Sequence, residues 1–410
     1  MQSVTAFALL WAATSVSAAA PAPAQEDAGK LLQNADGIKT ANYAEFAAIL
    51  ASLQGRAAQL SGPQKEYLRY LQAWKAVIEG ANATVIPELQ EIIQHSTDLT
   101  LQFRARSTLM NLEEVTGHYE AAYSELNWLL TQLPRVSDRS AREQTLMNAA
   151  QLYRAVGQTD LSLSYAQKVI DENWAGRGIC RGSQQKLAAL YESGRLQGVG
   201  AEVDAGTQAC EKLGETAYAN EIRTHAAKLY IDHGRLDEAI ALLTGHYDEV
   251  VQTQYSRLIS LFEALLADAH RRKGYAALAQ TFAYNSLAHA LKGPYAEASV
   301  TANRVLYELA KERGDFKSAL AFHEQYAAAD RGYMDDITAR QLAYDKVAHE
   351  SIASKLQIAA LTKQNQVLKL QKALGAEALE NSRLYVVLLM TITLFIGLWA
   401  YRTKRSQLHF

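Results

Sequence analysis

The segment GRLDEAIALL (234–243) decides the fold, because related segments recur along the chain. Each begins with a glycine and continues as the first turns of an amphipathic helix. The other five begin at Gly117, Gly157, Gly194, Gly274 and Gly314, and successive glycines lie 40, 37, 40, 40 and 40 positions apart. A fixed period of this length is typical of stacked helical repeats.

The residues around each glycine indicate a helical hairpin. The stretches LYRAVG, LYESG and LYIDHG read as the ends of helices, after which glycine tolerates a left-handed turn. Small residues prevail five positions after each glycine, where two helices that cross closely have no room for a large side chain. These residues are Ala122, Ser162, Val199, Ala239, Ala279 and Ala319.

This pattern resembles the tetratricopeptide repeat, strongly over residues 100–330 and more weakly over 40–99, through Tyr67, Leu71 and Trp74. The period near 40 exceeds the usual 34 of that family, so we expect longer loops between helices. The resemblance implies an all-α solenoid of helical hairpins, here residues 40–332, whose concave side is lined by the first helix of each hairpin and binds peptides or proteins.

The resemblance also implies which side chains line that groove. Carrying over the family's groove positions on the first helix of each repeat gives four pairs; at any one position, an ordinary solvated helix face is the alternative. The pairs are Gln151 and Arg154, Lys228 and Asp232, Asp268 and Arg271, and Arg304 and Glu308.

Composition favours an ordered helical protein. Of 410 residues, 49% are hydrophobic and only six are proline, and the net charge of −2 makes nucleic acid an unexpected partner. HExxH, P-loop, GxSxG and compact His/Cys/Asp motifs are missing from the sequence, so we expect no catalytic site, metal or cofactor in this chain.

The N-terminus predicts export. Val4 to Ala20 is apolar and uncharged, and it ends in small residues that fit a cleavage site, so residues 1–20 read as a signal peptide that is either removed or kept as an anchor. No Lys or Arg precedes the apolar stretch, which is unusual for such a signal. We expect residues 21–39 to be a flexible segment.

The C-terminus predicts one membrane crossing. Residues 384–401 (LYVVLLMTITLFIGLWAY) carry no charge and, as a helix, span roughly 27 Å. Arg402, Lys404 and Arg405 follow in the tail 402–410, and the positive-inside rule places this tail in the cytoplasm of a bacterial inner membrane. The bulk of the chain would then be periplasmic.

A long helix is predicted between the repeats and the membrane, over residues 333–383, because proline is missing there and glycine is rare. Val347, Ile358, Leu361, Leu368 and Leu379 form a broken 3–4 pattern that includes Asn365. Such a pattern fits a weak parallel coiled coil of a homodimer, or equally a single helix that packs on the last repeat.

This order of parts resembles the input half of membrane-bound diguanylate cyclases of the GGDEF type that carry periplasmic tetratricopeptide repeats; some sensor histidine kinases are similar. The resemblance implies sensing of a peptide, protein or small ligand in the periplasm and relay through a dimeric helix. No GGDEF motif stands in residues 1–410, so the output would belong to another part. The alternatives are a membrane-anchored periplasmic scaffold for envelope proteins and, more remotely, an exported enzyme.

The chain has two cysteines, Cys180 and Cys210, which lie at equal distances from the turn after Gly194. If helices run to about Ser193 and from about Gln197, both residues sit at the same height in one hairpin. In an oxidising compartment such a pair tends to form a disulfide. Two buried free thiols are the alternative.

Overall fold

The computed structural model describes residues 27–79, 82–290 and 296–407, and no β-strand occurs in these ranges. The expected signal peptide, residues 1–20, lies outside them. The internal contacts divide the chain into two units, Met1–Arg340 and Gln341–Phe410.

Seventeen α-helices cover most of the described residues. They are α1 (Ala28–Ile38), α2 (Tyr43–Gly55), α3 (Gly62–Ile78), α4 (Asn82–His95), α5 (Leu99–Val115), α6 (Tyr119–Gln132), α7 (Arg139–Ala155), α8 (Thr159–Glu172), α9 (Arg177–Glu192), α10 (Ala201–Glu211), α11 (Thr216–Asp232), α12 (Leu236–Gly245), α13 (Tyr247–Gln252), α14 (Ser256–Arg272), α15 (Ala276–Ala290), α16 (Ala296–Glu312) and α17 (Phe316–Gln407). Short 3-10 helices occupy Ala57–Gln59, Leu133–Arg135 and Trp174–Gly176.

The recurrent glycines make the hairpin turns, as the sequence predicts. All six have φ between +67° and +82°, the left-handed region that side chains with a Cβ rarely adopt. At Gly234 the turn also caps α11: the N–H groups of Gly234 and Arg235 donate to the carbonyls of Ile231 and Tyr230, at 3.1 and 2.7 Å. These two bonds satisfy carbonyl groups that the end of the helix would otherwise leave without a partner.

The small residues after the turns lie where helices cross. Ala122, Ser162, Ala239 and Ala279 are fully buried, and Ala319 nearly so. The Ser162 hydroxyl donates to the Ala150 carbonyl at 2.8 Å, which satisfies this polar group inside the core. Val199 is different: α10 begins at Ala201 instead of near Gln197, so Val199 lies half-buried in the preceding loop.

The first helices of successive hairpins pack side by side, α5 on α7, α7 on α9, α9 on α11 and α11 on α14. Large apolar residues fill the space between the helices, among them Phe103, Leu112 and Phe262, which are completely buried. Each hairpin thus leaves an apolar face that the next hairpin covers.

The expectation of a flexible segment over 21–39 is wrong for its described part. Residues 28–38 form α1, which buries Leu32 and Ala35 in the same core as Phe46 and Leu71. Asp27 caps this helix, because its carboxylate accepts the N–H of Gly29 at 2.9 Å. The repeat unit therefore begins before residue 40.

The long C-terminal helix begins earlier than the sequence predicts. It starts at Phe316 as the second helix of the last hairpin and continues to Gln407, instead of starting near Tyr333. From Ile352 to Arg405 its side chains are exposed, including the seam residues Leu361 and Leu368. Residues 384–401 lie in a stretch of this helix that is long and apolar enough to cross a membrane.

Candidate functional site

A cavity of about 860 Å³ lies within the first unit, on the side formed by the first helices of the hairpins. Its wall is formed mainly by α5, α7, α9, α11 and α14 and by the turn between α1 and α2, with further residues from α2, α3, α13 and α16. Many of the lining side chains are amides, which both donate and accept hydrogen bonds. They are Asn42, Asn111, Gln144, Asn148, Gln151, Gln184, Gln185, Gln252 and Gln254.

A polar ladder joins the helices of this wall. The Asn111 amide donates to the Asn148 side chain at 3.2 Å, and Asn148 donates to the Ser107 carbonyl at 3.0 Å. One turn further along, Gln151 Nε2 donates to Glu114 Oε2 at 3.4 Å. Because these hydrogen bonds join α5 to α7, the first helices of two neighbouring hairpins, they fix the distance between these two helices in the cavity wall.

Ion pairs continue this pattern across the cavity. Arg154 on α7 pairs with Glu192 on α9, and Lys228 on α11 pairs with Glu297 on α16. Arg181 bridges three helices, since its two Nη atoms lie 2.8 Å from Glu143 and 2.8 Å from Glu215. Both glutamates are buried, so the pairing compensates for their lost hydration.

The N-terminal helices close one side of the cavity. Arg177 donates to the Gly37 carbonyl, and Arg181 Nη2 donates to Thr40 Oγ1 at 3.1 Å. These contacts join the α1–α2 turn to α9 across about 140 residues of sequence. The turn is therefore part of the wall, a feature that no repeat pattern predicts.

A neutral histidine stands in the same wall. Burial lowers the pKa of His225 well below its usual value, and the nearby Lys228, Arg154 and Arg257 charges lower it further. The imidazole is therefore uncharged at neutral pH. Its Nδ1 atom is buried and has no hydrogen-bond partner within the described part of the chain.

The structure places three of the eight predicted groove residues at the cavity: Gln151, Arg154 and Lys228 all line it. Asp232, at the end of α11, instead accepts a hydrogen bond from the Tyr191 hydroxyl at 3.1 Å. Glu308 is half-buried on α16, outside the lining.

The three remaining predicted groove residues, Asp268, Arg271 and Arg304, do not line the cavity but form ion pairs with one another. Asp268 is buried on α14, and Arg271 and Arg304 approach its carboxylate at 3.6 and 3.4 Å. Arg272 is closer still, at 2.8 Å. Because three guanidinium groups surround this carboxylate, the cluster joins α14 to α16 as an internal ion-pair network.

Sequence reasoning missed Glu221 and Arg257, which both line the cavity. Glu221 belongs to a polar stripe on α11 at spacings of three and four, with Thr224, His225 and Lys228, all on the cavity side. Such a stripe on the first helix of a repeat is visible in the sequence, and it identifies the groove face better than single positions carried over from another family.

Among the residues that the structure describes, no group of three or more His, Cys, Asp and Glu side chains is arranged to hold a metal ion. The cavity instead presents amides, paired ions and a neutral imidazole. This arrangement suits the binding of a polar ligand.

Comparison with solved structures shows a tetratricopeptide-like helical-repeat fold. The chain is similar to a Rap protein, whose crystal structure was solved in complex with Competence and Sporulation Factor: 13% of residues are identical, the TM-score is 0.52, and the match covers 75% of this chain and 99% of the Rap chain. A weaker similarity exists to a signal-transduction ATPase with a tetratricopeptide repeat sensor from Pyrococcus horikoshii, with 12% identity, a TM-score of 0.34 and coverage of 82% of this chain and 50% of that one.

No protein-family model and no curated protein sequence matches the chain. At these identities the structural similarity concerns the fold alone. The chain is thus an all-α, tetratricopeptide-like repeat protein with one C-terminal helix that is long and apolar enough to cross a membrane.

Proposed function

We propose that this protein is the sensing part of a transmembrane signalling protein. The repeat unit would bind a ligand in the cavity on the periplasmic side, and α17 would carry the change through the membrane to a cytoplasmic output. The main support is one observation: side chains of α17 contact α5, a helix of the cavity wall, and α6, both of which belong to a distant repeat.

We call this tie the clasp, and it consists of Glu114, Tyr119, Asp336 and Arg340. Arg340 Nη1 on α17 lies 3.3 Å from Glu114 Oε1 at the end of α5. The Tyr119 hydroxyl on α6 donates to Asp336, and the Arg340 guanidinium lies 5.2 Å from the centre of the Tyr119 ring. Arg340 Nη2 also pairs with Asp336 at 2.8 Å, which makes the clasp one connected network.

Glu114 connects the clasp to the cavity. One carboxylate oxygen faces Arg340 of α17, and the other accepts a hydrogen bond from Gln151, which lines the cavity. A ligand that binds Gln151 therefore competes with Glu114 for the same amide and changes the partners left to Arg340. The ligand would then bind with different affinities to the chain with the clasp formed and to the chain with the clasp broken. Only such a difference in affinity allows ligand binding to shift the equilibrium between the two states.

Tyr333 extends this connection by one turn of α17. Burial raises the pKa of its hydroxyl, and the Glu297 and Glu192 carboxylates raise it further. Both glutamates line the cavity. Residues at three successive turns of α17 therefore interact with the cavity or its wall. They are Tyr333, Asp336 and Arg340.

The remaining steps follow from the sequence. An exported N-terminus and the basic tail after residue 401 favour a periplasmic repeat unit and a cytoplasmic C-terminus. The exposed apolar residues of α17 in the second unit favour pairing with a second copy in parallel. The sequence resemblance described above favours a diguanylate cyclase of the GGDEF type as the output.

The test measures how readily the α17 helices of two copies of the chain crosslink. In the full chain in lipid nanodiscs, a single cysteine at Leu361 or Leu368 should crosslink two copies on oxidation. Glu114→Gln and Arg340→Gln break the clasp, and we expect each to change the crosslinking rate at least several-fold. Arg313→Gln is the matched control, because the Arg313 side chain donates to Gln280 of the neighbouring hairpin and takes no part in the clasp.

Equal rates in the clasp variants and in wild type would contradict the relay and favour a static membrane-anchored scaffold. If neither cysteine crosslinks, the parallel dimer is wrong. Retention of the α-helical circular dichroism signal in both clasp variants separates these outcomes from misfolding.

A further inference from the structure

One segment of α17 is strongly basic, although the whole chain has a net charge of −2. Residues 351–376 contain four lysines, and neither aspartate nor glutamate occurs among them. The lysines are Lys355, Lys363, Lys369 and Lys372. The nearest carboxylates along the helix, Glu350 and Glu377, lie at least five positions from every one of these lysines, beyond the spacings of three and four at which helix side chains pair. The positive charge of this segment is therefore not compensated within its own helix.

Two apolar stripes run along this segment on roughly opposite sides of the helix. One is the seam that contains Leu361 and Leu368. We call the other the outer stripe, and its five members recur at spacings of three, four and eleven, which are close to whole turns of an α-helix. They are Ile352, Leu356, Val367, Leu370 and Leu374. All five side chains are 47–67% exposed, so the outer stripe is an uncovered apolar surface in the single chain.

A second copy of the chain is a poor partner for the outer stripe. Two copies that pair along the seam leave the outer stripe of each copy exposed, and contiguous exposed apolar surface marks a site of interaction. Lys363 lies within the outer stripe, seven positions after Leu356 and four before Val367. In a parallel pair along this stripe, the second copy would bring the same lysine to the same height and no carboxylate to pair with it. A partner that covers the outer stripe must supply the carboxylates itself.

The course of α17 argues against a lipid surface as this partner. The helix is unbroken from Phe316 to Gln407. At about 1.5 Å per residue, Ala376 lies about 12 Å and Ser351 about 50 Å along the helix from Leu384, where the apolar stretch begins. A continuous helix that enters the bilayer therefore carries most of the outer stripe away from the headgroups. A second helix beside α17 reaches the whole stripe.

We infer that the outer stripe binds an acidic amphipathic helix of a partner protein. The apolar residues of that helix pack against the outer stripe, and its carboxylates pair with Lys363 within the stripe and with Lys355 at its edge. This surface is separate from the cavity and from the clasp, so the inference goes beyond the proposed function and does not require the relay.

The experiment titrates synthetic helical peptides against the full chain in nanodiscs of uncharged phosphatidylcholine, with fluorescence anisotropy as the readout. The acidic peptide carries leucines at alternating spacings of three and four, glutamates beside them and alanine elsewhere. One control peptide replaces every glutamate by lysine, and another keeps the acidic composition but scrambles the order. We expect only the acidic amphipathic peptide to bind, and we expect added salt to weaken its binding.

Two pairs of matched variants locate the contact. Leu370→Ala on the outer stripe should weaken the acidic peptide about fivefold or more, because a buried leucine side chain is lost, whereas Leu368→Ala on the seam should leave its affinity unchanged. Lys363→Gln should weaken the peptide about threefold and reduce the effect of salt. Lys369→Gln is its control, because Lys369 faces away from the outer stripe. Alanine and glutamine are good helix formers, so we expect all four variants to keep the helical circular dichroism signal.

Absence of binding by the acidic peptide, or equal binding of the acidic, basic and scrambled peptides, would overturn the inference. So would a loss of affinity in Leu368→Ala as large as that in Leu370→Ala. Recruitment of phosphatidylglycerol vesicles that Lys363→Gln abolishes, without binding of the acidic peptide, would identify an anionic lipid surface instead. A cysteine crosslink at Leu361 reports pairing along the seam and should be unchanged by Leu370→Ala, so failure of this inference and failure of the proposed relay are distinguishable.

Discussion

Arg104 Nη1 donates to Asp36 Oδ2 at 2.6 Å, although 68 residues separate the two in sequence. A second hydrogen bond joins Arg104 Nη2 to the other oxygen of the same carboxylate, and the guanidinium lies 5.0 Å from the centre of the Tyr70 ring. Arg104 is buried. This bidentate pair holds α1 against α5 and so positions the α1–α2 turn that forms part of the cavity wall.

Asp36→Asn should destabilise the packing of α1 by about 3–5 kcal/mol, because it leaves the buried Arg104 charge without its counterion. Hydrogen exchange of the α1 amides measures this locally, which avoids assuming that the whole chain unfolds in one step. Asp204→Asn, at an exposed position on α10, is the control and should leave this exchange unchanged. Slow exchange retained in Asp36→Asn would show that the pair contributes little.

The same pair makes the attachment of α1 dependent on pH. Burial acts to raise the pKa of Asp36, but the Lys39 and Arg104 charges and their hydrogen bonds outweigh it and hold the pKa well below its usual range. A folded-state pKa below the unfolded value of about 3.9 stabilises the fold at higher pH, and this contribution is lost as the pH falls below that value. The difference between wild type and Asp36→Asn should therefore be constant from pH 7 to 5 and should shrink toward pH 3.

Close approach of backbones makes Gly178 intolerant of substitution. A Cβ atom on Gly178 would lie 2.5 Å from Cα of Asn173 and nearer still to the Val169 carbonyl oxygen. We expect Gly178→Ala to cost about 1–3 kcal/mol or more, because α8 and α9 must separate. Gly198→Ala is the matched control, with no atom within 4 Å of its added methyl group. Equal melting temperatures for the two variants would contradict this account.

Local patterns predicted the hairpins because their causes are local. A glycine such as Gly234 is needed for one φ angle, and a small residue such as Ala239 for one helix crossing, so both recur with the period. Helix α1 could not be predicted in this way. It is short, contains Gly29 and Gly37, and is held by Arg104 and Arg177, which lie far along the chain.

The composition of the groove was only partly predictable for a related reason. Periodicity shows that Asp268 and Lys228 lie on first helices, but a neighbouring helix decides whether each charge is already compensated. Arg272 and Arg304 surround Asp268, whereas Arg257 on α14 interacts electrostatically with Glu221 on α11. That difference depends on pairs of residues from separate repeats, which a single sequence does not reveal.

The basic residues after the apolar stretch predict the orientation of the chain in the membrane. A reporter that is active only in the periplasm should be active when fused after Asn381 and silent when fused after Phe410, since Arg402, Lys404 and Arg405 favour the cytoplasm. Replacement of these three residues by glutamine should reduce the difference between the fusions. Activity of the fusion after Phe410 in the unaltered chain would reverse the orientation.

The last prediction concerns Cys180 and Cys210, which the structure joins in a disulfide between α9 and α10 with Cα atoms 4.6 Å apart. Both residues are fully buried, and 30 positions of sequence separate them. By constraining the unfolded chain, a loop of this length should stabilise the hairpin by about 2–4 kcal/mol. The bond ties together the hairpin whose second helix starts late, at Ala201, after a loop that contains Gly194, Gly198 and Gly200.

Protein isolated from the periplasmic side should therefore show no free thiol when it is denatured without reductant, and two after reduction. The double variant Cys180→Ala with Cys210→Ala should unfold at lower denaturant concentration than wild type, and reductant should lower the stability of wild type but not of the variant. Two reactive thiols in the unreduced protein would refute the bridge and would place this hairpin in a reducing compartment, against the proposed topology.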